Sequence, residues 1–249
     1  MEKKISIIVA TYNAAKTLEN CLESITQQVS NDCELIIIDG GSTDGTIDVI
    51  NNFNQYVEYT ISEPDKGIYD AWNKGIKNAK GEWIMFVGAD DELLPNALGN
   101  YLSVINETPE IEKYDYICAQ NDYVSQKGVF IKKIGKEPTW DNMKKYMAAA
   151  HVGSLHNKKR LFEEVGLYSL DYHICADYEL LLRKKADLTY KYLVGVTIAK
   201  MQEGGMSMSS AAVIETFKIR RAHQTISSIY NYIILLKSLL AYKFYNFHR

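Results

Sequence analysis

The chain has 249 residues, 47% hydrophobic and 24% charged, which suffices for the core of one α/β domain or two small ones. A formal net charge of −3 argues against non-specific binding to nucleic acid. Cys21, Cys33, Cys118 and Cys175 are far apart, with no CxxC pair and no zinc spacing, and no signal peptide is visible, so the expected setting is a reducing cytoplasm.

The β-branched run Ile5–Ala10 predicts a strand, followed by a loop at Thr11, Tyr12 and Asn13. Residues 14–29 place Leu18, Cys21, Leu22 and Ile25 on one face, which predicts a helix with Asn13 as its cap. Glu34–Ile38 predicts a second strand. It ends at Asp39-Gly-Gly-Ser-Thr-Asp-Gly-Thr46, where Ser42 or Thr43 would cap a helix over 47–53. A third, weaker strand is expected at 56–61. The alternation predicts right-handed βαβ units and a parallel sheet.

Ser62–Gly67 reads as a loop, and residues 68–79 as a helix that Gly81 ends. Trp83–Val87 reads as a buried strand, and the adjacent carboxylates Asp90 and Asp91 lie just past its carboxyl end. In open α/β sheets that edge binds ligands. Two readings stand. The pair shares a divalent metal that holds a diphosphate, or it forms a solvated turn capping a helix from near Leu93. No GxGxxG follows Ala10 and no GK[ST] loop occurs, which disfavours dinucleotide and P-loop chemistry.

Further on, a helix is expected over 92–105 with Pro95 in its first turn. Strands are expected over 114–120 and 123–134, the second turning at Ser125–Gly128. Residues 138–150 read as irregular or helical, and the apolar face of Trp140, Met143, Tyr146 and Met147 suits a core or an acceptor groove. His151 would hold a phosphate, bind metal or pack; with no partner histidine four residues on, metal is the weakest of the three. Asp177 stands where a helix start would let the dipole favour its anion, and by itself reads as a plain cap. From residue 212 a long helical pattern carries Lys218, Arg220 and Arg221, then an aromatic, apolar stretch over 226–245 with Lys237 and Lys243. No uncharged run reaches the ~20 residues of a membrane span. The stretch fits an amphipathic helix at a membrane interface, or a core or dimer helix.

The pattern SEPDKGIYDAWNKG…AKGEWIMFVGADDEL resembles the family-2 glycosyltransferases, in particular those that build bacterial surface polysaccharides. The resemblance implies a GT-A-like fold, an open α/β sheet of mainly parallel strands flanked by helices, over residues 1–211, with a helical tail over 212–249. It places the family's aspartate-pair motif at Ala89-Asp90-Asp91, with Asp91 as ligand to Mg²⁺ or Mn²⁺ and Asp90 beside the nucleotide sugar. Thr11, Tyr12 and Asn13 match the family's T-Y-N. Asp39, Gly41, Ser42, Asp44 and Thr46 match D-D-G-S-x-D-x-T, and Gly40 departs from its second aspartate. Thr11 and Asp39 are thereby implied to contact the base, although Asp39 can equally cap its own turn. Asp65 is implied to line the nucleotide pocket, and Asn73 and Lys74 to stabilise that loop or reach ribose and phosphates. Asp177 matches the family's general base, and it is this resemblance that makes it a base, with Glu179 as its only rival. Residues 197–207 resemble its flexible F-x-x-G-G-x-S segment, with Met201 where an aromatic is commoner.

The implied activity is inverting transfer of a sugar from a nucleotide diphosphate donor, a UDP-sugar, to a hydroxyl of a lipid-linked glycan acceptor. The implied place is the cytoplasmic membrane face, with peripheral contact through the tail. Two other classes compete. A sugar-nucleotide-forming nucleotidyltransferase would show a basic, Gly-rich triphosphate loop after the first strand, and Thr11-Tyr12-Asn13 is not one. A non-catalytic nucleotide-sugar-binding protein would keep Asp39 and Asp91 but would not need Asp177.

Overall fold

The computed structural model describes residues 3–247; the last two residues of the expected tail, 248 and 249, lie outside the described residues. One mixed sheet runs through the molecule. Strands β1 (Ile5–Thr11), β2 (Cys33–Asp39), β3 (Val57–Ser62) and β4 (Trp83–Gly88) are its parallel half, in the order β3-β2-β1-β4. Every residue of β1 and β2 is buried, as their uninterrupted apolar runs require of strands covered on both faces.

Helix α1 (Leu18–Thr26) covers one face, with α2 (Thr46–Asn52) at its edge, and α3 (Ile68–Asn78) covers the other. Helix α1 starts later than the sequence pattern suggests, and α2 is entered differently. Thr17, not Asn13, precedes α1; Asn13 instead takes a left-handed backbone, and its side chain accepts from the Thr43 N–H. α2 is preceded by Gly45 at φ 98°, while Asp44 accepts from both the N–H and the hydroxyl of Thr46. Neither Ser42 nor Thr43 caps it.

The second half departs further from local pattern. The expected helix over 92–105 begins with a two-residue strand, β5 (Glu92–Leu93), and α4 (Ala97–Glu107) starts only after Asn96 turns left-handed. β6 (Tyr116–Val124) takes in Tyr123, and the turn at Ser125–Gly128 leads to β7 (Phe130–Ile134). A short helix, α5 (Trp140–Met143), and strand β8 (Leu155–Asn157) follow. β8 pairs antiparallel with both β4 and β6 and so joins the two halves of the sheet. α6 (Ala176–Leu182) then leads to β9 (Tyr190–Gln202), which lies between β6 and β5. β9 absorbs residues expected to be flexible from 197 on. Gly195 at φ 75° lets it bend in mid-course, and its pairing with β6 shifts register there.

The C-terminal pattern is two helices, α7 (Ser210–His223) and α8 (Ser228–Phe247), broken at Gln224 with φ 53°. α7 is part of the body: Ala212 and Ile219 are buried in the core on the α3 side of the sheet. α8 covers α7 through Asn231 but exposes Ile229, Ile233, Leu236, Leu240 and Phe244. Among the described residues no helix is long and apolar enough to cross a membrane.

Candidate active site

The carboxyl ends of β1, β2 and β4 bring Thr11, Asp39 and the Asp90–Asp91 turn to one edge of the sheet, the edge at which α/β folds bind ligands. Three cavities follow each other along it. The first, about 250 Å³, is lined by Ala10, Thr11, Tyr12, Asp65, Ile68 and Met206 among others. The second, about 320 Å³, shares Ile68 and Met206 with it and contains Asp90, Asp91, His151 and Asp177. The third, about 490 Å³, shares Ile174, Asp177 and Ser207 with the second and opens between α6, α7, α8 and residues 145–147. Asp177 is therefore at a junction.

In the first cavity the Thr11 hydroxyl is buried and has no partner among the described residues, so it is a free donor and acceptor at the strand's end. Tyr12 is 65% exposed and presents its ring to the same space. Asp65 closes its own loop by accepting from the Gly67 N–H at 2.8 Å. The departure at Gly40 has a steric reason: a Cβ there would lie 2.8 Å from Asp65 Oδ2. The Asp65 carboxylate occupies the space that a side chain at position 40 would need.

Asp39 is fully buried. Its Oδ2 accepts from the Gly41 and Ser42 N–H groups and the Ser62 hydroxyl, and Oδ1 accepts from the Ser42 hydroxyl. Turn capping is thus its visible work; it lines none of the three cavities, and one lone pair on Oδ1 is left without a hydrogen bond among the described residues. Asn13, with its N–H on Ser42 Oγ, fastens the same loop. Asn73 and Lys74 line none of these cavities. The Asn73 amide exchanges two hydrogen bonds with the Tyr168 backbone, and Lys74 pairs with Glu63 and donates to the Pro64 carbonyl. Both fix loops around the site.

At Asp90 and Asp91 the local geometry is set by Gly88, where a Cβ would come within 2.6 Å of Asp91 Oδ2 and 3.0 Å of Asp90 Oδ1. Burial, and then the neighbouring charge of Asp90, push the Asp91 carboxyl well above the usual carboxylate range. The same charges add to burial in raising the Cys21 thiol behind them. Among the described residues no lysine or arginine pairs with either aspartate, and no group of three or more His, Cys, Asp or Glu could hold a metal alone. Two uncompensated carboxylates facing a cavity fit a hard cation that draws its other ligands from a diphosphate and water.

Asp177 is the second residue of α6, with its side chain mostly buried. Oδ1 accepts from the Tyr69 hydroxyl at 3.0 Å; Oδ2 is 4.0 Å from His151 Nδ1, beyond hydrogen-bond reach. Burial raises the carboxyl to about 6, opposed in part by its hydrogen bonds. An ordinary value near 4, which the sequence alone suggests, does not survive the loss of water. His151 stacks on Phe86 and packs against Trp72, and burial lowers it to about 3, so it is neutral and packs. Glu179 points elsewhere. It binds Arg183 and His223, and these partners outweigh burial and lower its carboxyl.

Residue-type reasoning missed two groups that hold Asp177. Tyr69 comes from α3, and its single hydroxyl proton is shared between Asp177 Oδ1 and the nearer Ile174 carbonyl at 2.7 Å. Glu215 comes from α7, and its carboxylate accepts from the N–H groups of His173, Ile174 and Cys175 at 2.6–2.8 Å. The Tyr69 spacing reads as core, and nothing near Glu215 in the sequence marks it.

The sequence model of Glycosyl transferase family 2 matches residues 6–187. The chain belongs to this family. A Mycobacterium bovis protein described as a PGL/p-HBAD biosynthesis glycosyltransferase is 31% identical over 209 residues, covering 81% of this chain and 78% of its own. Among solved structures, S. aureus TarS 1–349 in complex with UDP-GlcNAc superposes with a TM-score of 0.70 at 19% identity, over 95% of this chain and 71% of that one. The mannosyltransferase PcManGT of Pyrobaculum calidifontis, in complex with GDP-Man and Mn²⁺, gives 0.65 at 14% identity, over 97% and 75%. These likenesses establish the GT-A-like fold. In this family-2 enzyme the aspartate pair, the loop after β1 and Asp177 stand along one continuous edge.

Proposed function

We propose that the protein transfers a sugar, of hexosyl or N-acetylhexosaminyl type, from a UDP-sugar to the hydroxyl of a glycan acceptor, with inversion. One observation carries the reading: Asp177 borders both the cavity that holds Asp90 and Asp91 and the separate cavity beyond it. Donor and acceptor can therefore meet at one carboxylate from opposite sides. That TarS was solved with UDP-GlcNAc supports the choice of donor class.

In this reading the base lies over the Tyr12 ring beside Thr11 and Asp65, with Asp39 shaping the loop and offering its last lone pair. Asp91, with Asp90, would hold Mg²⁺ or Mn²⁺, which when bound neutralises charge developing on the leaving diphosphate. The acceptor hydroxyl enters from the third cavity. Tyr69 holds Asp177 at Oδ1, and the carboxylate takes the proton as the hydroxyl attacks the anomeric carbon. A carboxyl at about 6 is ionised at neutral pH yet more basic than an exposed one. Met206, which borders both donor-side cavities, follows Gly204 at φ 103°, so the segment can close over the donor.

We assign membrane contact to α8 rather than to the whole of 212–249. Its exposed apolar residues recur at intervals of three and four, opposite the face that carries Asn231 and Ile234, and Lys237 and Lys243 flank the stripe.

The test is product analysis with a panel of UDP- and GDP-sugars and a glycan acceptor, with NMR of the new anomeric centre. Release of UDP with an inverted linkage is expected. Pyrophosphate release would identify a nucleotidyltransferase, and binding without any product a nucleotide-sugar-binding protein; either outcome overturns the proposal.

A further inference from the structure

The third cavity holds a charge that the transfer chemistry leaves unused. Arg220 of α7 is only 3% exposed and stands in its wall. Its Nε donates to Asn231 Oδ1 at 2.7 Å and its Nη1 to the Lys145 carbonyl at 2.6 Å. Both acceptors are neutral. Nη2 has no protein acceptor, and Arg220 has no carboxylate partner, among the described residues. A buried guanidinium without a counter-ion is costly unless an anion completes it. Lys145, in the same wall, also makes no ion pair among the described residues. Asp177, which this cavity shares with the second, is the one acidic residue among the described residues of its lining, against these two cations.

The rest of the wall is mostly apolar. Met147, Ile174, Val213 and Ile234 contribute to it, and Ile234 belongs to α8, whose outer face is the exposed apolar stripe. An occupant must therefore offer an anion at one place and hydrocarbon around it. Guanidinium forks match phosphate oxygens in geometry as well as charge.

We propose that this cavity is the acceptor subsite for a lipid phosphate. The phosphate lies on Arg220 and Lys145, its alkyl chain runs along the apolar wall toward α8, and a sugar attached to the phosphate presents its hydroxyl to Asp177. The assignment rests on Asp177 as the base of the transfer and names the chemical class of the acceptor.

Full-length protein is titrated, below the micelle concentration, with decyl phosphate, decyl glucoside and inorganic phosphate, each followed calorimetrically. Decyl phosphate is expected to bind at least tenfold more tightly than either of the others. Arg220→Lys keeps the charge but not the fork and should weaken decyl phosphate about tenfold while leaving decyl glucoside within twofold. Lys145→Glu should do the same and guards against misfolding of the Arg220 variant. Equal binding of decyl phosphate and decyl glucoside overturns the anion site. Equal binding of inorganic phosphate overturns the lipid. Unchanged decyl phosphate affinity in Lys145→Glu overturns the placement. UDP binding with Mn²⁺ is measured in the same preparation. If UDP binds and decyl phosphate does not, this inference alone fails; if UDP does not bind, the donor reading fails.

Discussion

Asp177 and Glu179 sit two positions apart on one short helix and do unlike things, because one faces the cavities and the other faces Arg183 and His223. Asp177→Asn keeps the shape and removes the basicity. It should lower the transfer rate by about 10²–10⁴ and leave UDP affinity within twofold. In the wild type, kcat/KM should rise with pH through an apparent pKa near 6, and the variant's residual rate should lack that limb. The stability sign follows from the same shift. The folded carboxyl binds its proton more tightly than the unfolded one. Its favourable contribution is thus full below about pH 4 and is lost as pH rises through about 6. Asp177→Asn should accordingly raise Tm at pH 8, by up to about 3 kcal/mol of stability, and change little at pH 4. Glu179→Gln should do the reverse: it breaks a buried ion pair, lowers Tm, and leaves the turnover of the folded enzyme within about threefold. A dead but well-folded Glu179→Gln enzyme would reassign the base.

At the scale of elements, α6 is too short to hold Asp177 by itself, and α7 does so through Glu215. That carboxylate satisfies three N–H groups at the start of α6. Glu215→Gln leaves at most one good acceptor oxygen, and each weakened charge-assisted bond costs about 1.5–3 kcal/mol. The expected result is a fall in kcat with little change in the KM for donor, partly recovered in Glu215→Asp; a change in donor KM alone would mean that α7 shapes the donor site instead. α8 makes the opposite kind of contact. Leu236→Glu with Leu240→Glu alters only its outer stripe, so co-sedimentation with anionic vesicles should drop at least tenfold while Tm and UDP binding hold. Unchanged sedimentation together with a shift in oligomeric state would make the stripe a contact between copies.

For the whole molecule, the edge of the sheet collects negative charge that the fold does not neutralise. Ligand and stability are therefore coupled. UDP with Mn²⁺ at a hundred times its dissociation constant should add about 2.7 kcal/mol. For a chain of this size that is a rise in Tm of roughly 5–10 °C by differential scanning calorimetry. Asp91→Asn should abolish the rise, yet melt higher than the metal-free wild type, because it removes a buried and uncompensated charge. A metal-dependent rise that survives in Asp91→Asn would exclude Asp91 as the ligand.

The first three strand–helix units and the carboxylate pair past β4 were legible in the sequence itself, and the helix start at Asp177 through the family pattern. The signals of the units and the pair are local: runs of buried β-branched residues, helical spacing, and acids at element ends. The family resemblance added roles for Thr11, Asp39 and Asp91. The second half of the sheet was less legible, because β5, β8 and the bent β9 owe their pairing to strands far away in sequence rather than to their own pattern. The same holds within the site. Tyr69 meets Asp177 across 108 positions, Glu215 meets Cys175 across 40, and Arg220 meets the Lys145 carbonyl across 75. Hydrophobic periodicity says which face of an element is buried, but not which polar group from another element will be buried against it. Where water is excluded, as around Asp177 and Arg220, that neighbour and the depth of burial set protonation and charge balance, and only the packed chain supplies both.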